Sequence, residues 1–548
     1  MKKYVAIAAM SMALTTVFAQ ETYENAKLAS QDLNGTARYV GMGGAMEALG
    51  ADISTIGTNP AGIGLFRKSS LGLSMGVVSQ QGGNDVVSGD KTHVSFDQIG
   101  FVYSTRSGRN SFLNFGFNYH KSKNFDYILS AAGGLQDASQ NKLSYLKGAR
   151  GSADNGGFNV GKNREGEILG YVDDRSSFIA NPFNQLDYLY WNALLVDPQT
   201  DAYGYNTATG YVFDRVHTGY IGSYDFNLSG NIQDIVYLGM TLGIEDVHYR
   251  GNSQYIENLV DGNGAKVGSV RIADNRRVKG TGYNVKAGII VRPIEESPFR
   301  LGAYISTPTW YELTTKNTTE IYNNTDGLGA YDKGYHEDSY DFKLNTPWKF
   351  GLSLGHTVGN YLALGASYEY ADYSALDSRI IDDTYGYYDY YGNYTEYTTS
   401  SSDRVMNNHT ERTLKGVSTL KLGIEYKPVS SLSLRAGYNY VTSMYEDAGY
   451  KDGSLNSPGS NVSSATDYTN WKNTNRYTLG IGHTSKKFNI DLAYQYSATN
   501  GDFYPFMKDF STTYEANNGQ VVTESNSCQA VRVSNKRHQV LLTLGYRF

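Results

Sequence analysis

The chain has 548 residues and a formal charge of −6, with 40% hydrophobic and 19% charged side chains. This balance excludes a charge-rich disordered chain, and no basic patch of the size nucleic acid requires is present. Beyond residue 19 there is no run of about 18 apolar residues, which excludes a bundle of membrane-spanning helices.

The 48 Tyr and 60 Gly, against 10 Pro, point to an all-β chain. Aromatic residues favour strands, and glycine marks turns or close backbone contacts. The chain opens MKKYVAIAAMSMALTTVFA. Lys2 and Lys3 precede an apolar stretch from Tyr4 to Val17, and Val17 and Ala19 are small enough for the cleavage-specifying positions. Residues 1–19 therefore predict a secretory signal. The single Cys528, in the polar stretch ESNSCQAV, has no second cysteine and no metal-ligand spacing, so no cofactor or metal is expected. A large exported chain without disulfides needs another source of stability, and a barrel closed by hydrogen bonds supplies one.

Residues 20–68 do not read as strand. YENAKLASQDL and MGGAMEALGA predict short helices, broken or crowded by Gly41, Gly43, Gly44 and Gly50. GMGGAM lacks the third glycine of a dinucleotide fingerprint and follows no strand. Next comes Asn59-Pro60-Ala61. Pro60 fixes φ and biases Asn59 away from helix, while the Asn59 side chain can satisfy nearby backbone groups. A turn pinned against a wall follows, either as part of a gate or simply as a fixing point. The lumen of a larger barrel is the natural place for this segment, as a hatch or plug.

From residue 69 to 548 the pattern is alternation of period two. At the C-terminus Val540, Leu542, Leu544, Tyr546 and Phe548 share one face, and Gln539, Leu541, Thr543, Gly545 and Arg547 share the other. KFNIDLAYQYS, SLSLRAGYNY and WKFGLSLGH repeat this arrangement. A soluble sandwich would have to bury Arg435 and Asp491 in its core, whereas a polar lumen accommodates both. Short connections fall at 107–110, 231–234, 294–298, 358–360, 429–431 and 485–488. Between them lie long polar segments near 81–92, 125–212, 251–276, 316–337, 374–411, 446–471 and 501–529. The expectation is a single antiparallel transmembrane β-barrel of about 14 strands with short turns at one end and long loops at the other.

Within loop 125–212, ANPFNQLDYLYWNALLVDP places Phe183, Leu186, Tyr190, Trp191 and Leu194 at roughly helical spacing. Apolar surface in an external loop must either pack on its neighbours or line a ligand groove. Lys286, Lys349, Lys421 and Arg435 fall on the lumen face, where they could anchor a carboxylate or pair with Glu425, Asp491 and other acids.

GTARYVGMGGAMEALGADISTIGTNPAGI, followed directly by a first strand, resembles the FadL-type family of outer-membrane transporters for long-chain fatty acids and aromatic hydrocarbons. The resemblance covers essentially the whole mature chain. It implies an N-terminal hatch bearing the Asn59-Pro60-Ala61 motif, a hydrophobic ligand captured at external loops, and passive passage through a hatch-gated barrel. It also implies a monomer in the outer-membrane bilayer, inserted by barrel-assembly machinery that reads Tyr546 and Phe548. Two other readings stay open: a surface adhesin using Tyr-rich loop 382–397, and a haem-binding barrel with His or Tyr ligands. No G-x-S-x-G or H-E-x-x-H is present, and no enzyme is expected.

Overall fold

The computed structural model describes residues 21–84, 89–151, 157–158, 161–162, 168–169, 185–195, 204–294, 296–325, 333–388, 394–455, 457, 465–515 and 519–548. Residues 1–19, the expected signal, and Phe183 lie outside the described residues. Before the barrel come helices α1 (Thr22–Ala29) and α2 (Ala37–Gly41) and two 3-10 turns, Ile53–Gly57 and Pro60–Leu65.

Fourteen antiparallel staves then follow. They are β1 (Ser70–Gln81), β2 (Thr92–Arg106), β3 (Phe112–Asn124, resuming as Tyr127–Ala138), β4 (Thr207–Ile232), β5 (Val236–Val260) and β6 (Lys266–Val291). Next are β7 (Arg300–Ser306, then Trp310–Thr325), β8 (Lys333–Asn345, then Lys349–Val358) and β9 (Leu362–Asp372, then Asp377–Tyr388). β10 (Tyr394–Ser402, then Gly416–Val429), β11 (Leu432–Val441), β12 (Tyr468–Thr484), β13 (Phe488–Tyr504) and β14 (Val531–Arg547) complete the wall. Each stave pairs with the next, and β14 pairs with β1 from Ser70↔Arg547 to Gln81↔Lys536, so the sheet has no free edge.

The outer surface explains the sequence pattern. Along the second half of β8, Phe350, Leu352 and Leu354 are 51, 64 and 49% exposed, while Gly351 and Ser353 between them are buried. Phe488, Ile490, Leu492 and Tyr494 of β13 and Val540, Leu542 and Leu544 of β14 also face outward. An apolar belt around a closed barrel with a polar interior is the architecture of a membrane-spanning barrel. All six expected short connections lie at one end, between β2 and β3, β4 and β5, β6 and β7, β8 and β9, β10 and β11, and β12 and β13.

The other end departs from expectation. Much of 251–276, 316–337 and 374–411 is paired strand rather than loop. β4, β5 and β6 have 26, 25 and 26 residues, over twice the ~10 that cross a bilayer. Above the membrane the outer face meets water, so the outward residues are polar and the apolar-out alternation disappears. Inside, residues such as Tyr255, Val270 and Ile272 still pack, with Leu186, Tyr190 and Leu194, into a cap at the long-loop end. Helix α3 (Gln140–Arg150), helix α4 (Gln185–Tyr190), and the hairpin of Asp509–Glu515 with Val521–Ser527 belong to this cap. A further helix, α5 (Arg404–Thr413), interrupts β10. Cys528 is buried in the cap, its thiol against the Phe506 carbonyl at 3.7 Å.

The segment before β1 is threaded through the lumen, and glycine makes room for it. Gly355, Gly365, Gly423 and Gly437 stand directly abreast on β8 to β11. A Cβ on Gly365 would lie 1.9 Å from the Ala45 carbonyl oxygen, and one on Gly423 would lie 2.4 Å from that of Met42. The stretch 42–49 therefore lies backbone to backbone along a groove in the wall. Gly43 and Gly44 take φ of +63° and +82° to follow it, a conformation that disfavours larger residues.

Replacing Gly365 or Gly423 with Leu is expected to expel this segment, at a cost above the ~1–3 kcal/mol usual for overpacking because the clash is with backbone. Protease cleavage within residues 36–50 of the folded barrel reports the expulsion. Gly72→Leu, where nothing lies within 4 Å, should leave the segment protected.

Candidate functional site

The lumen segment is built from local caps. Thr36 accepts from the Tyr39 N–H at 3.0 Å to start α2, and Asp52 accepts from the Ser54 N–H at 3.0 Å to start the first 3-10 turn. Asn59 caps the second, its Oδ1 accepting from the Ala61 N–H at 3.1 Å, with Pro60 at the first position where no donor is needed. Asn59 and Pro60 rest on Gly288 and Gly239, which are abreast on β6 and β5. The Pro60 carbonyl accepts from Ser229 Oγ at 2.9 Å. At its other end the segment is tied to the loop side: Glu21 pairs with Lys451 at 2.8 Å, and Tyr23 Oη donates to Asn470 at 2.7 Å.

Above the wall-bound stretch is a chamber of about 250 Å³. Its upper half is aromatic. Tyr23 of α1 stacks on Tyr445 at 5.2 Å and packs on Tyr468 at 5.0 Å, and Tyr127 meets Trp471 edge-on at 5.9 Å. The charged groups Arg215, Asp467, Lys27 and Glu24 in this half are matched. Arg215 makes a two-pronged pair with Asp467 at 2.7 and 2.8 Å, and Lys27 pairs with Glu24 at 3.0 Å. Burial first, then Lys27 and Arg215, hold the His217 imidazole well below its usual range, so it stays neutral near pH 7.

The lower half is not matched. Three cations converge on the single carboxylate of Asp32: Lys123 at 3.3 Å, Arg537 at 3.7 Å and Arg476 at 3.9 Å. Burial alone would raise the Asp32 carboxyl, but the three cations outweigh it and hold it down at about 2. The cluster thus carries a positive excess at any pH above that.

Next to this cluster the wall is unzipped. β2 and β3 pair from Arg106↔Phe112 only as far as Gln98↔His120, although β2 continues back to Thr92. Both staves bulge at this level, β2 at Asp97 and β3 at Ser122. The lumen segment fills the gap. The Asp32 N–H donates to the Ser122 carbonyl at 2.8 Å, and Asn34 Nδ2 donates to both Asp97 Oδ1 and the Lys121 carbonyl at 3.0 Å. Outside, Phe96 and Tyr119 stack at 5.8 Å across the seam.

The residues singled out from the sequence fall elsewhere. Lys286 pairs with Asp225 at 2.9 Å, Lys421 with Glu47 at 2.7 Å, and Arg435 with Glu425 and Asp491, each at 2.6 Å. Arg38 of α2 joins Glu425 at 3.1 Å, so Arg38–Glu425 and Lys421–Glu47 tie the segment to the wall. Lys349 donates to Gln31 at 2.7 Å. Leu186, Tyr190 and Leu194 are buried in the cap, Tyr190 donating to Glu257 at 3.0 Å. Trp191 is half-buried against Phe158. Tyr546 packs on Phe488 at 5.0 Å and Phe548 at 5.9 Å at the short-turn end.

Sequence reading missed Lys123, Arg476 and Arg537. Arg476 and Arg537 are in phase with the lumen faces of their staves, so alternation could have found them. Lys123 is turned inward only by the bulge at Ser122.

No family model matches the chain, and no curated protein sequence is significantly similar to it. Among solved structures it is similar to the CymD monoaromatic hydrocarbon channel, at 11% identity over 95% of this chain and 99% of that one with a TM-score of 0.45. It is similar to a Pseudomonas aeruginosa FadL homologue at 14% identity over 97% and 100%, TM-score 0.45. It is also similar to the P. putida toluene transporter TodX at 11% identity over 94% and 99%, TM-score 0.44.

Proposed function

We propose that this chain is an outer-membrane channel for the passive uptake of hydrophobic small molecules that carry an acidic group, such as long-chain fatty acids. One observation carries the reading: an aromatic chamber ends in three cations around one carboxylate, beside an unzipped wall seam held shut by the lumen segment. Aromatic rings take up an apolar chain. Arg476 and Arg537 offer forked donors for a carboxylate, and the positive excess draws an anionic ligand in beside Asp32.

In this reading residues 1–19 direct export, residues 20–68 are the hatch, and residues 69–548 form the barrel. A ligand enters from the long-loop end and seats its acid at the Asp32 cluster. In doing so it competes for the groups that hold Asp32 in place. Release of Asp32 and Asn34 from Ser122 and Asp97 opens the seam between β2 and β3, and the ligand leaves sideways into the bilayer. Asn59-Pro60-Ala61 stays on its glycines as the fixed end of the hatch. The reaction consumes no energy source; it follows the ligand's gradient.

Cells whose only FadL-type protein is this chain are expected to take up labelled long-chain fatty acid saturably. In Arg476→Gln/Arg537→Gln the half-saturating concentration should rise about a hundredfold or more, from two lost charge-assisted bonds. A folded surface barrel without uptake would remove fatty acids as cargo.

A cross-link tests the gate. Asn34→Cys/Asp97→Cys, joined by a short thiol reagent, should abolish uptake, and a reductant-cleavable linker should restore it on cleavage. Unchanged uptake with the link in place would refute exit at this seam.

The pH dependence should follow the ligand rather than the site. Asp32 has its carboxyl depressed to about 2, so its contribution to hatch stability is present above pH ~4 and is lost only as pH falls through about 2. Binding measured between pH 8 and 5 should therefore weaken only where the fatty acid itself becomes protonated.

A further inference from the structure

On the outside of β4 to β7, Tyr224, Ile244, Tyr283 and Trp310 stand directly abreast, and the three aromatic residues are exposed. Such a row marks the membrane–water interface of a barrel. Six residues further toward the long-loop end, Arg250, Arg277 and Lys316 are abreast on β5, β6 and β7, all exposed. Lys279, exposed as well, lies between the two rows, opposite His248 and Thr314. At ~3.4 Å per residue and a tilt of ~40°, the cation row stands about 15 Å above the aromatic row.

Like charges directly opposite one another on a sheet repel. Inside the barrel, Lys286, Lys421 and Arg435 are all matched by carboxylates. On this outer face Lys316 pairs with Glu337, but Arg250, Arg277 and Lys279 have no ion pair among the described residues. The neighbouring outward acids are engaged elsewhere: Asp246 with His248 at 2.9 Å, Glu312 with Lys343 at 2.7 Å, and Asp341 with the Thr314 hydroxyl.

We infer that this face binds the phosphate groups of outer-leaflet glycolipid head groups. Two adjacent guanidiniums present parallel forks that suit phosphate oxygens, and Lys279 adds a point charge on the membrane side. An anionic head group supplies the counter-charge that the protein withholds. The inference rests on the proposed outer-membrane placement with the long-loop end outward, but its test does not depend on uptake.

Detergent-solubilised barrel is titrated with fluorescent lipopolysaccharide, and retention is measured at equilibrium. Arg250→Gln/Arg277→Gln should bind roughly tenfold or more weakly, at about 1 kcal/mol per cation near an anionic lipid surface. Arg250→Lys/Arg277→Lys should fall between the variant and the wild type. Phosphatase-treated lipopolysaccharide should bind wild type and variant alike, and millimolar inorganic phosphate should not displace the lipid. Lys486→Gln/Lys487→Gln, at a short turn, is the control and should bind as wild type does. Heat-modifiable gel mobility shows whether each variant is folded. Equal retention by wild type and Arg250→Gln/Arg277→Gln, or an equal loss in the control, would overturn the inference. If binding follows this pattern in a protein that fails to import fatty acid, only the uptake reading falls.

Discussion

The structure depends on backbone lying against backbone. A barrel of fourteen staves encloses more space than inward side chains readily fill, and here the filling is the chain's own first segment. That segment can lie against the wall only where the wall has no side chains. Gly355, Gly365, Gly423 and Gly437 provide a strip four staves wide, and Gly239 and Gly288 provide a second seat under Asn59 and Pro60. The ion pairs of Arg38, Glu47 and Lys421 act over this contact and fix the segment's register along the strip.

Charge divides the interior into two regimes. At the level of the glycine strip every named cation has a carboxylate or amide partner, and the contacts hold the lumen segment to the wall. At the level of Asp32 the count is uneven, three cations to one acid, and the contacts join lumen segment, wall and seam at once. Between its anchors at Glu21 and Tyr23 and its seat under Asn59 and Pro60, the segment therefore meets the wall through unbalanced charge only at Asp32.

The membrane zone was legible in the sequence because lipid enforces period two. Phe350, Leu352 and Leu354 read outward and lie outward, and all six short turns fell where punctuation placed them. Above the bilayer that constraint lapses, and the extensions of β4 to β10 read as loops because their outward residues are polar and the apolar-out alternation disappears. The lumen face of Lys286, Lys421 and Arg435 was readable, as were Glu425 and Asp491 as partners for such cations, but Asp225 and Glu47 were not, because only the closed topology brings them to Lys286 and Lys421. The seam was illegible for a different reason. A bulge at Ser122 or Asp97 changes which way later residues point without changing which residues are there.

The glycine strip also constrains the order of assembly. Residues 42–49 precede every stave, and the pairing of β14 with β1 joins the two ends of the wall. Once that pairing is made, the segment sits in a ring with no free edge, anchored to Lys451 and Asn470 above and to Gly239 and Gly288 below. A peptide added after closure would have to thread past both anchors. The segment therefore acts as a mandrel around which the ring is wound, and wall and filling form one cooperative folding unit.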